Sequence, residues 1–217
     1  MELRSYGHPS LLRALKELRK YSEYIEKNSP ITKRGGIFFF SSLGLSRPEV
    51  VRYNKRLRRY TPPAKAKVLL LLPQTKKKPF HSSVEHSTLM NKIKNTLKDK
   101  TDLVHFCTYS APFGVVPSEL EEVYPLSQNE ITFPLDLETI NYVAEKVANY
   151  VVETNYNQVI LLKDPLIWKG KVAAACKRSC KKKKIIFKVS RKRDPWSTTT
   201  TNDIVLILEG ALKSLEN

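Results

Sequence analysis

Residues 68–72, Val-Leu-Leu-Leu-Leu, form a continuous apolar run that stops at Pro73. A short run without polar alternation, closed by a proline, reads as a strand buried on both faces. That is the habit of parallel sheets covered by helices on either side. In such folds ligands settle in the crevice beyond the carboxyl ends of the strands. The residues arriving there are Gln74, Lys76, Lys77, Lys78, Phe80, His81, Ser82, Ser83 and His86. A carboxamide, three lysines, an aromatic ring, hydroxyls and two imidazoles are an unusual set for a plain connector.

The rest of the chain repeats the alternation of strand and helix. After Thr61-Pro62-Pro63-Ala64, a natural joint, the pattern predicts a strand at 67–72, a helix near 85–98, a strand at 103–108 and a helix from about Ser118. A long helix at 136–154 follows, with Ile140, Val143, Val147 and Val151 along one face. A strand at 158–162, a helix near 171–180, a strand at 184–189 and a closing helix around 201–215 complete it. This predicts an α/β fold, a three-layer α/β/α domain with a mainly parallel sheet of about four strands. The domain is expected over 64–217, preceded by an N-terminal helical extension over 1–63. That extension reads as a helix at 10–26, a short phenylalanine-rich strand at 37–40 and a basic helix at 48–60. Two capping boxes are expected, Ser46 with Glu49 and Ser118 with Glu121.

Charge narrows the partner. The 38 Lys and Arg residues outnumber the 21 Asp and Glu residues, for a net charge of +17. Such an excess points to a polyanion, RNA or DNA, since no helix sets a basic face against an aromatic one as a membrane binder would. Candidate phosphate contacts are Arg52, Lys55, Arg56 and Arg59 on the basic helix, Lys76 and Lys77 after the buried strand, and Lys181, Lys182, Arg191 and Arg193 near the C-terminus. Residues 111–145 contain no Lys or Arg, yet carry seven acidic residues. No apolar run approaches the ~20 residues of a membrane span, and no signal-peptide core opens the chain, so a cytoplasmic protein without membrane contact is expected.

Three cysteines make no disulfide framework, and Cys176 and Cys180, one helical turn apart, lack further ligands nearby. No metal or cofactor is expected. The absence of a Gly-rich phosphate loop, nucleophile elbow or zinc signature removes most support for hydrolase and nucleotide-triphosphatase classes. In the loop after Pro73, Lys78 suits an anion, Phe80 could stack a base for ~1–3 kcal/mol, and His86 could exchange a proton near neutral pH. The same segment also reads as a basic surface loop entering a helix capped by Ser82 or Ser83. In the loop from Tyr109 to Pro117, Gly114 would let another group approach the backbone closely, or would serve a tight connector. Asp164, after the strand at 158–162, could bind an ammonium group or cap the next turn.

The order Pro73-Gln74, three residues, Lys78-Pro79-Phe80, two residues, Ser83, two residues, His86 resembles a signature of the archaeosine synthase family. That signature has cysteine where Gln74 stands and tyrosine where Phe80 stands. Arg47-Pro48-Glu49-Val50 and the segment from Gly114 to Pro125 also resemble family segments, so that similarity covers about residues 36–165. The resemblance implies a fold similar to the uracil-DNA glycosylases. It implies tRNA modification: the side-chain amine of free lysine adds to the nitrile of a cyano-deazaguanine base in the D-loop, and a radical-SAM partner then cleaves the adduct. It assigns Lys78, Ser83 and His86 to catalysis, with Gln74, Phe80, Gly114 and Asp164 around the substrates. With Gln74 at the cysteine position a thioimide is impossible there, leaving direct amine attack or a tRNA-binding subunit without catalysis. A glycosylase-like binder of DNA is a third alternative. Full-length relatives carry additional modules not expected within these residues, so an RNA-binding-module protein is a further partner the resemblance suggests.

Overall fold

The computed structural model describes residues 37–131, 133–164, 166–190 and 194–215, with Arg13, Glu17, Lys20 and Tyr21. The helix expected at 10–26 falls largely outside the described residues, as do Arg191 and Arg193. In chain order the regular elements are β1 (Ile37–Phe39), α1 (Pro48–Leu57), β2 (Val68–Pro73), α2 (Val84–Leu97), β3 (Val104–Ser110) and β4 (Gly114–Pro117). Then come β5 (Asn129–Ile131), α3 (Leu137–Glu153), β6 (Gln158–Leu161), α4 (Lys171–Lys183), β7 (Ile186–Val189) and α5 (Thr198–Lys213).

The main sheet has the order β4-β3-β2-β6-β7, while β1 and β5 form a separate parallel pair. All pairings within it are parallel except β3 with β4. The alternation of β2 explains the layering. Val68, Leu70 and Leu72 join Leu89, Ile93 and Leu97 of α2 and Ile204, Leu208 and Leu212 of α5. Leu69 and Leu71 join Val143, Val147 and Val151 of α3 and Val172, Ala175 and Cys176 of α4. Both faces are therefore covered, as the apolar run required. Each of the four leucines is almost wholly buried, which stabilises the fold by roughly 1.5–3 kcal/mol apiece.

The fold is thus a three-layer α/β/α domain with five strands in the main sheet rather than about four. The added strand is β4. Where an irregular loop was expected over 109–117, Val115 and Val116 pair antiparallel with Tyr109 and Thr108. Two adjacent β-branched residues beside an open edge favour that pairing. The helix expected from about Ser118 is a single 3-10 turn, Ser118–Leu120. Glu121 does not cap it; its carboxylate accepts instead from the backbone N–H of His81, at 2.8 Å. The other expected capping box is also absent. Pro48 holds the preceding residue extended, so Arg47 becomes the N-cap, and Glu49 pairs with the Arg47 guanidinium at 3.1 Å.

Residues before the joint pack into the same core as the sheet: Phe39, Val50, Tyr53 and Leu57 are all buried in it. Two tyrosines fix the basic helix to the sheet edge. Tyr53 Oη donates to Val115 O at 2.6 Å, and Tyr60 Oη donates to Glu119 Oε2 at 3.3 Å. Glu119 in turn accepts from the buried His105 Nε2 at 3.1 Å.

Candidate active site

From β2 the chain runs to β3 on one side, and later elements return to β6 on the other. The crevice at such a reversal, beyond the carboxyl ends of the strands, is where doubly wound sheets bind ligands. Pro73, Ser110 and Leu161 end the three strands that meet there.

Gln74 continues β2 by one residue, its N–H donating to Tyr109 O at 3.1 Å. The side chain is buried, and Oε1 accepts from Ser110 Oγ and from Ala111 N, each at 2.9 Å. Nε2 has no hydrogen-bond partner among the described residues.

The chain then passes Lys76 and Lys77, both exposed, and Lys78, half-buried, before a 3-10 turn, Phe80–Ser82, leads into α2. Ser83 is the N-cap of α2 and accepts from the His86 N–H at 3.2 Å. That places His86 in the first turn, aimed back at the strand: its Nε2 lies 2.9 Å from Pro73 O. A carbonyl can only accept, so Nε2 carries the proton. Burial, the largest influence, lowers the His86 pKa from 6.5 to about 4, against the opposing pull of the Pro73 bond and Glu85. The imidazole is therefore neutral at pH 7 and does not titrate there as expected from the sequence. Its Nδ1 presents a lone pair, buried and without a partner among the described residues.

Phe80 is buried as well. Its ring stacks on His86 with centroids 5.7 Å apart, and Trp196 lies against the same imidazole at 5.0 Å. Phe80 therefore holds the histidine instead of standing open to a base. Lys78 Nζ sits 5.8 Å from the Phe80 centroid. Burial lowers the Lys78 pKa, with Glu130 opposing the shift.

Asp164 lies at the neighbouring strand end and caps the next turn: Oδ1 accepts from Leu166 N at 3.0 Å and Ile167 N at 3.2 Å. Gly114 pairs with Ser110 at the same sheet edge with φ of +85°, and a Cβ there would lie 2.5 Å from Lys146 Cβ. The group that closely approaches its backbone is the Lys146 side chain. Among the other candidate contacts, Lys55, Arg56 and Arg59 are exposed on or just after α1, Arg52 is half-buried, and Lys181 and Lys182 are exposed on the last turn of α4.

Four further residues shape this edge and were not singled out by sequence. Tyr109 Oη donates to Leu162 O at 2.8 Å and accepts from Asp164 N at 3.1 Å, tying two strand ends together. Trp168 packs edge-on against Tyr109 at 5.4 Å, its Nε1 buried and unpartnered among the described residues. Ser110 holds Gln74, and Trp196 holds His86. The signal available was scarcity: the chain has only two tryptophans, and both border this edge.

A model described as "Domain of unknown function (DUF5591)" matches residues 50–208. The chain belongs to this family. The tRNA-guanine(15) transglycosylase of Methanobrevibacter smithii is 34% identical over 163 residues, which span 74% of this chain and 24% of that protein. The archaeosine synthase subunit alpha of Thermococcus kodakarensis is 40% identical over 103 residues, 47% of this chain and 18% of that protein. The Saccharolobus solfataricus tRNA-guanine(15) transglycosylase is 28% identical over 166 residues, 75% of this chain and 31% of its own length. The resemblance to the archaeosine synthase family is thus borne out, as a partial-length one: the chain spans about a quarter of the curated relatives it matches. The crystal structure of AF0587, a protein of unknown function, superimposes with a TM-score of 0.52 at 20% identity, over 72% of this chain and 48% of that one. At that identity the likeness speaks for the fold. Among the described residues no helix is long and apolar enough to cross a membrane.

Proposed function

We propose that this domain modifies tRNA in archaeosine formation, adding the side-chain amine of free lysine to the nitrile of a cyano-deazaguanine base. The observation that carries this reading is His86, a neutral, buried imidazole in the family's motif whose Nδ1 lone pair is uncommitted. Amine addition needs an acceptor for the proton that the attacking nitrogen sheds, and Nδ1 supplies one. The attacking nitrogen becomes far more acidic as it bonds to carbon, so a weakly basic imidazole suffices. Phe80 and Trp196 keep the ring in place. Lys78, on the adjacent turn, supplies positive charge toward the tRNA backbone or the reacting base.

The tRNA is held by charge: Arg52, Lys55, Arg56 and Arg59 on one side, Lys76 and Lys77 beside the crevice, Lys181 and Lys182 on α4. The helices α1 and α4 both belong to the layer containing α3, so their cations can follow one backbone. The addition itself requires no cofactor. A radical-SAM enzyme acting on the lysine adduct and an RNA-binding-module protein are the partners this reading calls for.

Labelled lysine, offered with tRNA bearing the nitrile base, tests this directly. The wild-type chain should incorporate label, and His86→Ala should abolish incorporation while tRNA affinity stays within about twofold, because the basic contacts dominate binding. One observation favours a second reading, a tRNA-binding subunit without catalysis: Gln74 occupies the family's cysteine position. Tight tRNA binding with no label transferred would select it.

A further inference from the structure

The carboxamide of Gln74 is committed at one end only. Ala111 N–H can only donate, so the atom facing it is the oxygen, and Ser110 Oγ donates to that same atom. The backbone N–H of Gln74 is itself locked to Tyr109 O at 3.1 Å. The amide cannot turn over without breaking two hydrogen bonds. Its Nε2 therefore points away from β3 as a fixed donor, in a residue only 6% exposed, with no partner among the described residues. Buried donors are rarely left unmet, and one held this firmly is suited to a ligand atom.

We propose that Gln74 Nε2 is the donor that binds the nitrile nitrogen of the substrate base and receives the negative charge developing on it, so that the amine adds directly, without a covalent enzyme adduct. This rests on the function proposed above and assigns that site its selectivity. In the step, the lysine nitrogen forms a bond to the nitrile carbon, and one pair of the C≡N π electrons moves onto the nitrile nitrogen. His86 Nδ1 takes the proton released by the attacking nitrogen and returns it to the nitrile nitrogen, giving the amidine. Nothing leaves and no electrons are exchanged with a cofactor. A donor already aligned before the reaction strengthens as the charge grows, which is the condition for lowering the barrier.

Gln74→Glu isolates this atom. The variant keeps an oxygen for Ser110 and Ala111 and replaces only the donor with an acceptor. Affinity is measured for tRNA carrying the cyano-deazaguanine base and for the same tRNA carrying guanine, alongside single-turnover lysine transfer. The wild-type chain should prefer the nitrile-bearing tRNA by roughly fivefold, the worth of one hydrogen bond. Gln74→Glu should erase that preference, slow transfer by about 10²–10³-fold, and bind guanine tRNA as before. Gln74→Met, which removes the donor and keeps the length, should behave likewise and serves if the carboxylate impairs folding. A variant that keeps both preference and transfer would overturn the assignment, as would a wild-type chain indifferent to the nitrile. Preference without transfer would refute the lysine chemistry and leave the donor in place.

Discussion

Substituting His86 by glutamine probes the protonation state on which the proposed chemistry depends. The folded ring is fully buried, donates to Pro73 O, and lies between Phe80 and Trp196. Burial lowers its pKa from 6.5 to about 4. In the unfolded chain the ring regains its ordinary value, so the unfolded state binds the proton more readily. The stability is then fully present above about pH 6.5 and is lost as the pH falls toward 4. A shift of about 2.5 pH units corresponds to about 3 kcal/mol once both states are protonated. Between about pH 7.5 and about pH 5 the loss from this one group is about 2 kcal/mol. Urea unfolding at both pH values should therefore show wild-type stability falling by about 2 kcal/mol more than that of His86→Gln, which can still donate to Pro73 O and cannot titrate. Comparing the two pH dependences cancels every other titrating group. Parallel curves for the two proteins would refute a buried neutral His86, and with it the acceptor at Nδ1.

Two further outcomes are expected. Gly114→Ala forces a side chain into a left-handed conformation and against Lys146 Cβ at 2.5 Å; strain of ~1–2 kcal/mol plus overpacking of ~1–3 kcal/mol should lower stability by about 2–5 kcal/mol. Adding Lys146→Gly should recover the steric share, and a neutral Gly114→Ala in urea unfolding would contradict the packing described. Lys181→Glu with Lys182→Glu should flatten the dependence of tRNA affinity on salt by about one unit of log–log slope per lost phosphate contact; an unchanged slope would remove the end of α4 from the proposed tRNA surface.

The fold was legible because burial writes itself into the sequence. The run at 68–72 has no polar position, and only a strand covered on both faces needs that. The pattern predicts a long helix at 136–154, and it spans Leu137–Glu153, with Asp136 capping it through Thr139 N at 2.6 Å. Local rules failed where a neighbour in space outbid a neighbour in sequence. Glu121 stands at capping-box spacing from Ser118, but the folded chain brings the His81 N–H to its carboxylate. Ser46 lost its cap to the steric effect of Pro48 on Arg47. At the candidate site, residue identities were readable and their commitments were not. From sequence Phe80 offers a face to a base, yet its ring is spent on His86; Asp164 suits an ammonium ligand, yet it holds two backbone N–H groups. No spacing rule announces that Ser110 and Ala111 would take one end of Gln74 and leave the other.

That division between committed and uncommitted atoms bears on what the site can accept. Among the described residues, Gln74 Nε2, His86 Nδ1 and Trp168 Nε1 are buried side-chain nitrogens without partners. His86 bonds to Pro73 O, Gln74 is the next residue along the chain, and Trp168 packs on Tyr109, which pairs with Pro73 across the sheet. Two of the three atoms are donors and one, on a neutral histidine, is an acceptor. Each such group costs ~1–3 kcal/mol when buried unmet. Under the function proposed above, Gln74 Nε2 and His86 Nδ1 suit a ligand that offers an acceptor and brings one mobile proton. In the function proposed above, an amine approaching a nitrile would have that pattern: the nitrile nitrogen would face the Gln74 donor and the amine hydrogen the imidazole. A phosphate or carboxylate ligand brings acceptors only and would leave His86 unmet, so the tRNA contacts proposed above fall to the exposed lysines and not to this buried set.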